Sequence, residues 1–392
     1  MPGGTRPSLP PKARSITPPP TATGRKRREA ERKNRPARAG RHQIQGRKPA
    51  MKLMKSGLAA LLISAAALPA TAETNLLVNS WLPPTHSMNT GIFEPWFAAI
   101  EEATGGEVKV RFTDASLGAP PRQFDLAVDG IVDISFGVTG YTPGRFALPA
   151  VSELPQMGTS GEALSVALWR THQEHFAEAG EFDEVVLLGF FCNGTGHILS
   201  TEGKGAVTSM DDYRGTKFRV GGGMVQEINT TLGGVNVAAP AGEIYEILEQ
   251  GVADGVLLAP DAYTSFALKD VIAHDTTIPG GFYTSAWFVV MNRASWDGLS
   301  PEVQEQIMSV SGEALARMAG AQQDAGDAAA VEQMKADGVE IIEADEAFMA
   351  EFRETTAPLH EAWIAAAGEK GVDGQAALDF FRAQSAELEA EE

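Results

Sequence analysis

The sequence predicts an α/β protein of about two domains, and three observations carry that expectation. Its 392 residues are too many for one compact core and enough for about two. Short runs rich in Val, Ile and Phe alternate with runs of helical period along most of the chain. Helix boundaries are also marked chemically, most clearly at Ser300-Pro301-Glu302, which offers an N-cap, a proline at the first helical position and an acid at the positive end.

Charge divides the chain before any element is drawn. Residues 1–72 carry 16 of the 32 Lys and Arg but only two of the 51 acidic residues, Glu29 and Glu31. The remainder holds 16 basic against 49 acidic residues, a balance of −33 that the overall −19 conceals. Residues 1–50 are rich in Pro, Arg, Lys and Gly and lack the apolar residues of a core. They read as a disordered or non-native basic extension, with translation expected to begin at Met51. From Met51 a charged start, an apolar run over 57–68 and Ala70-Thr71-Ala72 form a secretory signal, with cleavage expected after Ala72. The apolar run is too short to span a bilayer and none follows, so the mature chain is expected in the periplasm without membrane insertion. Its acidity argues against nucleic acid or anionic lipid as a partner. The single cysteine, Cys192, precludes an intrachain disulfide and is expected to be a buried, inert thiol.

In order, a strand is expected over 76–81, a helix over 89–103 stopped by Gly105-Gly106, and a strand over 108–112. A helix over 120–128, a strand over 131–136, a helix over 161–179 and a strand over 185–192 follow. The second domain is expected to begin near Asn193, with strands at 218–220, 235–238 and 255–258. The run 286–291 is expected to return to the first domain. A helical pattern over 301–336, long for a globular protein, is expected to span both domains. A strand over 339–342 and helices over 348–367 and 374–387 complete the chain.

The segment Asp211–Gly255 holds the most informative local pattern. Arg219 ends a strand-like run just before Gly221-Gly222-Gly223, where its planar, permanent charge suits bidentate capture of a carboxylate. A surface ion pair is the rival role for an arginine there. Catalytic patterns are missing: no Gly-x-Ser-x-Gly elbow occurs, and no Gly-Lys-Ser/Thr follows the glycines. His172 and His175, with Glu174 and Glu178, read as a solvated helix face rather than a metal site.

Several motifs together resemble one family. Leu117-Gly118 leads through a helix to Val128-Asp129-Gly130-Ile131-Val132-Asp133-Ile134, followed by Gly140-Tyr141-Thr142-Pro143-Gly144-Arg145-Phe146 and Glu153-Leu154-Pro155. Asp211 to Val220 and Glu243-Ile244-Tyr245 to Asp254-Gly255 follow in the same order. In this register the chain resembles the periplasmic solute-binding proteins of TRAP transporters. The resemblance implies a two-lobed binding protein, type II-like, with 73–192 and about 286–320 in one lobe and 193–285 and about 321–392 in the other. It implies a small organic acid as ligand, delivered to the small and large TRAP membrane subunits for ion-gradient-driven uptake. No cofactor, metal or enzymatic activity is implied. A sensor partner using the same fold is the alternative, and an exported hydrolase a weaker one.

The resemblance assigns Arg219 to the ligand carboxylate and Trp81 to a ligand-lining position, with core filling the rival for Trp81. Sialic-acid-type members carry a second arginine where this chain has Gly196, and polar residues where it has Val256, Leu257 and Leu258. A smaller or less polar monocarboxylate is therefore expected. Tyr141, Tyr263, Phe282, Tyr283 and Trp287 are further pocket candidates, each with burial in the core as the rival. His86 either bonds ligand or caps the next helix, and His197 is a candidate donor beside Gly196.

Overall fold

The computed structural model describes residues 73–391, so both the basic extension and the signal segment lie outside the described residues. The strands are β1 (Thr74–Asn79), β2 (Val108–Phe112), β3 (Ile134–Val138), β4 (Val185–Cys192), β5 (His197–Ser200), β6 (Lys217–Val220), β7 (Val235–Ala238), β8 (Gly255–Leu258), β9 (His274–Thr277), β10 (Ala286–Asn292) and β11 (Glu340–Glu343). The α-helices are α1 (Glu94–Ala103), α2 (Gln123–Val128), α3 (Gly161–Thr171), α4 (Met210–Tyr213), α5 (Met224–Thr231), α6 (Ile244–Glu249), α7 (Ala262–Ser265), α8 (Arg293–Asp297), α9 (Pro301–Ser309), α10 (Gly312–Asp337), α11 (Glu346–Glu369) and α12 (Gly374–Glu389).

These strands make two sheets, one per lobe, ordered β2-β1-β3-β10-β4 and β11-β9-β5-β8-β6-β7. In the first, β1 runs parallel to β2 and β3, while β10 returns antiparallel between β3 and β4. In the second, β6 lies parallel to β7 and β8, and β5 runs antiparallel to β8 and β9. Strands β3 and β10 are buried along their whole length, which is why they read as continuous apolar runs.

The chain passes between the sheets three times. Residues 193–196 and 278–285 cross side by side, tied by Asn193 N–H to Ser285 O (3.2 Å) and Gly196 N–H to Tyr283 O (2.7 Å). The third crossing is α10, which packs on α3 and β4 of the first lobe and on α7 and β11 of the second.

Several expectations need correction. The helix expected over 301–336 is two helices, because Val310 and Ser311 break it and Gly312 takes a left-handed conformation (φ 55°). The Trp169 ring lies so close to Gly312 that a β-carbon there would stand 2.7 Å from it. Strand β3 starts at Ile134, three residues late, since Ile131 is exposed at the turn after α2. Helix α12, expected with the second lobe, lies on α3, where Leu388 is buried with Ala163, Val166 and Ala316. His172 is not on a solvated face. Residues 172–176 wind as a wider π turn, and His172 packs edge-on against Phe190 (5.3 Å) and Phe182, its pKa pushed down by burial to about 4. Cys192 is buried, and burial pushes its thiol up to about 12, so it stays protonated.

Candidate functional site

The parallel strands β1, β3, β6 and β8 end at a crevice between the two sheets, the usual place for a site in an α/β fold. A cavity there is lined from the first lobe by Trp81, His86, Tyr141 and Trp287, and from the second by Arg219, Gly221, Val225, Asp261 and Phe266. Tyr283, Asn193 and Ser285 line it from the two crossing segments. It is a narrow slot of about 50 Å³ between the lobes.

Arg219 is 1 % exposed, among the largest fully buried side chains of the molecule. Its Nε and Nη2 both donate to the carbonyl of Ala239 beyond β7, which fixes the plane of the guanidinium. Among the described residues no carboxylate pairs with it. A buried cation costs several kcal/mol unless a counter-charge is supplied. An anion entering the cavity supplies one, and the remaining N–H groups of the fork are available to bind it.

Two further donors face the slot. His86 accepts the Met88 N–H at Nδ1 (3.2 Å), and burial pushes its pKa down to about 4. The ring is therefore neutral at pH 7 with its proton on Nε2, which is buried and has no partner among the described residues. Indole Nε1 of Trp81 is likewise buried and unpartnered. Trp81 stacks on Trp287 at 5.8 Å with the planes 1° apart, and Trp287 stacks on Phe191 at 5.5 Å. Trp287 Nε1 donates to Asn193 Oδ1 (2.7 Å), locking the stack against the crossing segment. With Tyr141 5.9 Å from Trp81, the first lobe presents a rigid aromatic wall.

The absence of a second arginine has a steric basis. A β-carbon on Gly196 would stand 2.2 Å from the ring of Tyr283, which fills that position and donates from its hydroxyl to Leu257 O (2.8 Å). Leu258 lines the cavity, whereas Val256 and Leu257 are core.

Arg219, Trp81, His86, Tyr141, Tyr283 and Trp287 thus share one cavity, while three other candidates fall outside it. His197 turns away, its Nδ1 bonded to the buried Asp275 at 2.8 Å. Tyr263 donates to Asp337 Oδ2 at 3.1 Å and packs in the second-lobe core. Phe282 is core, against Tyr213, Tyr283 and Phe352. The sequence reading missed Asp261, Asn193 and Ser285. Asp261 follows β8 at its carboxyl end, and the other two lie on the crossings, so strand-end position was the signal that could have found the first.

A family model for bacterial extracellular solute-binding proteins, family 7 (DctP), matches residues 78–366. The chain belongs to this family. It is 35 % identical to the outer membrane transporter protein TsaT of Comamonas testosteroni, over 83 % of this chain and 96 % of that protein. A TRAP periplasmic solute-binding protein of Bordetella bronchiseptica with bound (R)- and (S)-mandelate superposes with a TM-score of 0.78 at 38 % identity, over 80 % of this chain and 99 % of the other. A marine metagenome TRAP solute-binding protein specific for aromatic acid ligands, holding 3-hydroxybenzoate, superposes with a TM-score of 0.75 at 30 % identity, over 81 % and 99 %. The fold is accordingly the two-lobed binding-protein fold, and the protein is a TRAP-type solute-binding protein. Its family and these neighbours bind solutes rather than transform them, and the TRAP family works with membrane subunits.

Proposed function

We propose that this protein captures a small aromatic monocarboxylate in the periplasm and delivers it to the small and large TRAP membrane subunits. The observation that carries the reading is Arg219, a buried and pinned guanidinium with no carboxylate partner among the described residues, opposite a wall of stacked indoles. In this reading the carboxylate takes the free edge of Arg219. The ring enters the slot against the aromatic wall of Trp81 and Tyr141, which excludes water as the lobes meet. The lobes hinge at 193–196 and 278–285 while α10 holds them together.

The bound acids of the Bordetella and metagenome neighbours, mandelate and 3-hydroxybenzoate, are aromatic monocarboxylates and support this class for the present chain. Titration calorimetry against benzoate, mandelate and succinate tests it. Micromolar or tighter binding is expected for the aromatic acids and none for succinate. Tight binding of succinate with no heat from either aromatic acid overturns the reading.

A further inference from the structure

Gly221, Gly222 and Gly223 carry the chain from the end of β6 into α5, and they are glycines for different reasons. Gly223 takes a left-handed conformation (φ 75°), and a β-carbon on Gly222 would stand 1.9 Å from the Gly140 carbonyl oxygen. Neither reason applies to Gly221. Its φ lies outside the left-handed region. Apart from its chain neighbours, a β-carbon there would meet only Tyr141 Cε1 at 3.3 Å and Arg219 Nη2 at 4.0 Å. Backbone and packing thus leave room for a methyl, and the direction it would take opens into the slot that Gly221 lines.

We propose that the ligand carboxylate lies over Gly221, in the volume a side chain there would fill, between the Arg219 fork and the ring of Tyr141. The missing side chain is then part of the anion subsite, and Gly221 is a specificity-determining residue, admitting a carboxylate where a larger residue would bar it. This rests on the reading of Arg219 as the carboxylate anchor and adds where the carboxylate stands. Both flanks suit it. Arg219 Nη2 gives one hydrogen to Ala239 O and keeps a second. Cε1 is the one atom of Tyr141 within 4 Å of that position, so the ring presents its edge, the electropositive part of an aromatic ring. An oxygen hydrogen-bonded to Nη2 at about 2.9 Å and touching the ring edge fits between the two.

The surroundings decide what an added methyl would displace. Gln226 Nε2 donates to Gly221 O (2.8 Å), Met224 N–H donates to Glu153 Oε2 (3.2 Å), and Gly222 rests on Gly140, so the loop is held on both sides. Arg219 is buried and pinned to Ala239. Tyr141 is only half-buried and can yield slightly. Alanine at 221 therefore leaves the fold intact and takes the place of the carboxylate.

The test is calorimetry with benzoate, mandelate and succinate on the wild-type protein, Gly221→Ala, Tyr141→Ala and the double variant. Gly221→Ala is expected to weaken every acid that the wild type binds by about tenfold or more, the range of overpacking. The same factor should separate the double variant from Tyr141→Ala, because the methyl blocks the carboxylate whether or not the ring is there. Thermal unfolding of Gly221→Ala should fall near the wild-type midpoint. Affinity within about threefold of wild type overturns the inference, and so does a loss that vanishes in the Tyr141→Ala background, where the methyl would have acted by displacing the ring. A midpoint far below wild type also overturns it, since the fold would then require the glycine. If succinate binds and the aromatic acids do not, the aromatic reading has failed while Gly221→Ala with succinate still decides the subsite. If none of the three binds the wild type, the subsite falls together with the reading it rests on.

Discussion

The two walls of the slot are built on opposite principles. The second lobe contributes ionisable groups, Arg219 and Asp261, each buried and held by backbone contacts. The first lobe contributes rings, Trp81, Tyr141 and Trp287, held by stacking, and a histidine kept neutral. A charge acts at a distance and with little demand on shape, whereas a stack of indoles acts only on contact and only on a flat partner. The lesson is a division of labour. In the proposed function the second lobe supplies most of the binding energy for a small carboxylate, and the first decides which carboxylates gain from closing the slot.

That contrast is broken most directly at Arg219. Arg219→Ala is expected to cost about 3 kcal/mol of affinity, more than a hundredfold, for benzoate and mandelate alike. Arg219→Lys should recover only part, because a point charge lacks the planar fork. Calorimetry that finds Arg219→Ala within threefold of wild type removes the charge from the second wall's account.

A second test concerns the seam between the walls. Glu153 of the first lobe accepts from Thr139 Oγ1 and Ala286 N–H at Oε1 and from Met224 N–H of the second lobe at Oε2. Burial pushes its pKa up to about 7 despite those bonds. A folded pKa above the unfolded value means that its contribution is whole below about pH 4.5 and is lost as pH rises through 7. Relative to Glu153→Gln, the wild-type protein should therefore lose stability between pH 4.5 and 7, by up to about 3 kcal/mol. Urea titrations of both proteins at pH 5 and 8 measure the difference. An unchanged gap shows that Glu153 ionises as freely as in the unfolded chain.

The smallest expected effect lies on the aromatic wall. Trp81→Leu should weaken benzoate by about 1 kcal/mol and leave acetate, which has no ring to stack, almost unchanged. Were acetate weakened as much as benzoate, the first lobe would be a general lid and not a selector.

How much of this was legible in the sequence follows a physical pattern. Arg219, Trp81, Tyr141 and Trp287 were readable because each sits at or just past the end of a strand, where side-chain direction is set by local structure. Strands β5 and β9 went unseen: His197–Ser200 and His274–Thr277 are four residues each, and the polar His274, Asp275, Thr276 and Thr277 give no apolar run. His197 was misplaced for the same reason, since the strand that aims it at Asp275 was not recognised. The break before Gly312 is not announced by the apolar periodicity within 301–336, and the contact that leaves no room for a side chain there comes from Trp169, more than a hundred residues away.

One contact in the seam has a mechanical consequence. A β-carbon on Gly140 would stand 2.5 Å from the Gly222 carbonyl oxygen, and one on Gly222 would stand 1.9 Å from that of Gly140. The jaws of the receptor thus come to rest main chain on main chain, a hard stop that no ligand sets. The width of the shut mouth is fixed in advance, and cargo is gauged against it like a blank against a die. A single methyl group at either glycine would act as a wedge at this contact; in the proposed function the variant would still hold its acid by charge but could not close fully.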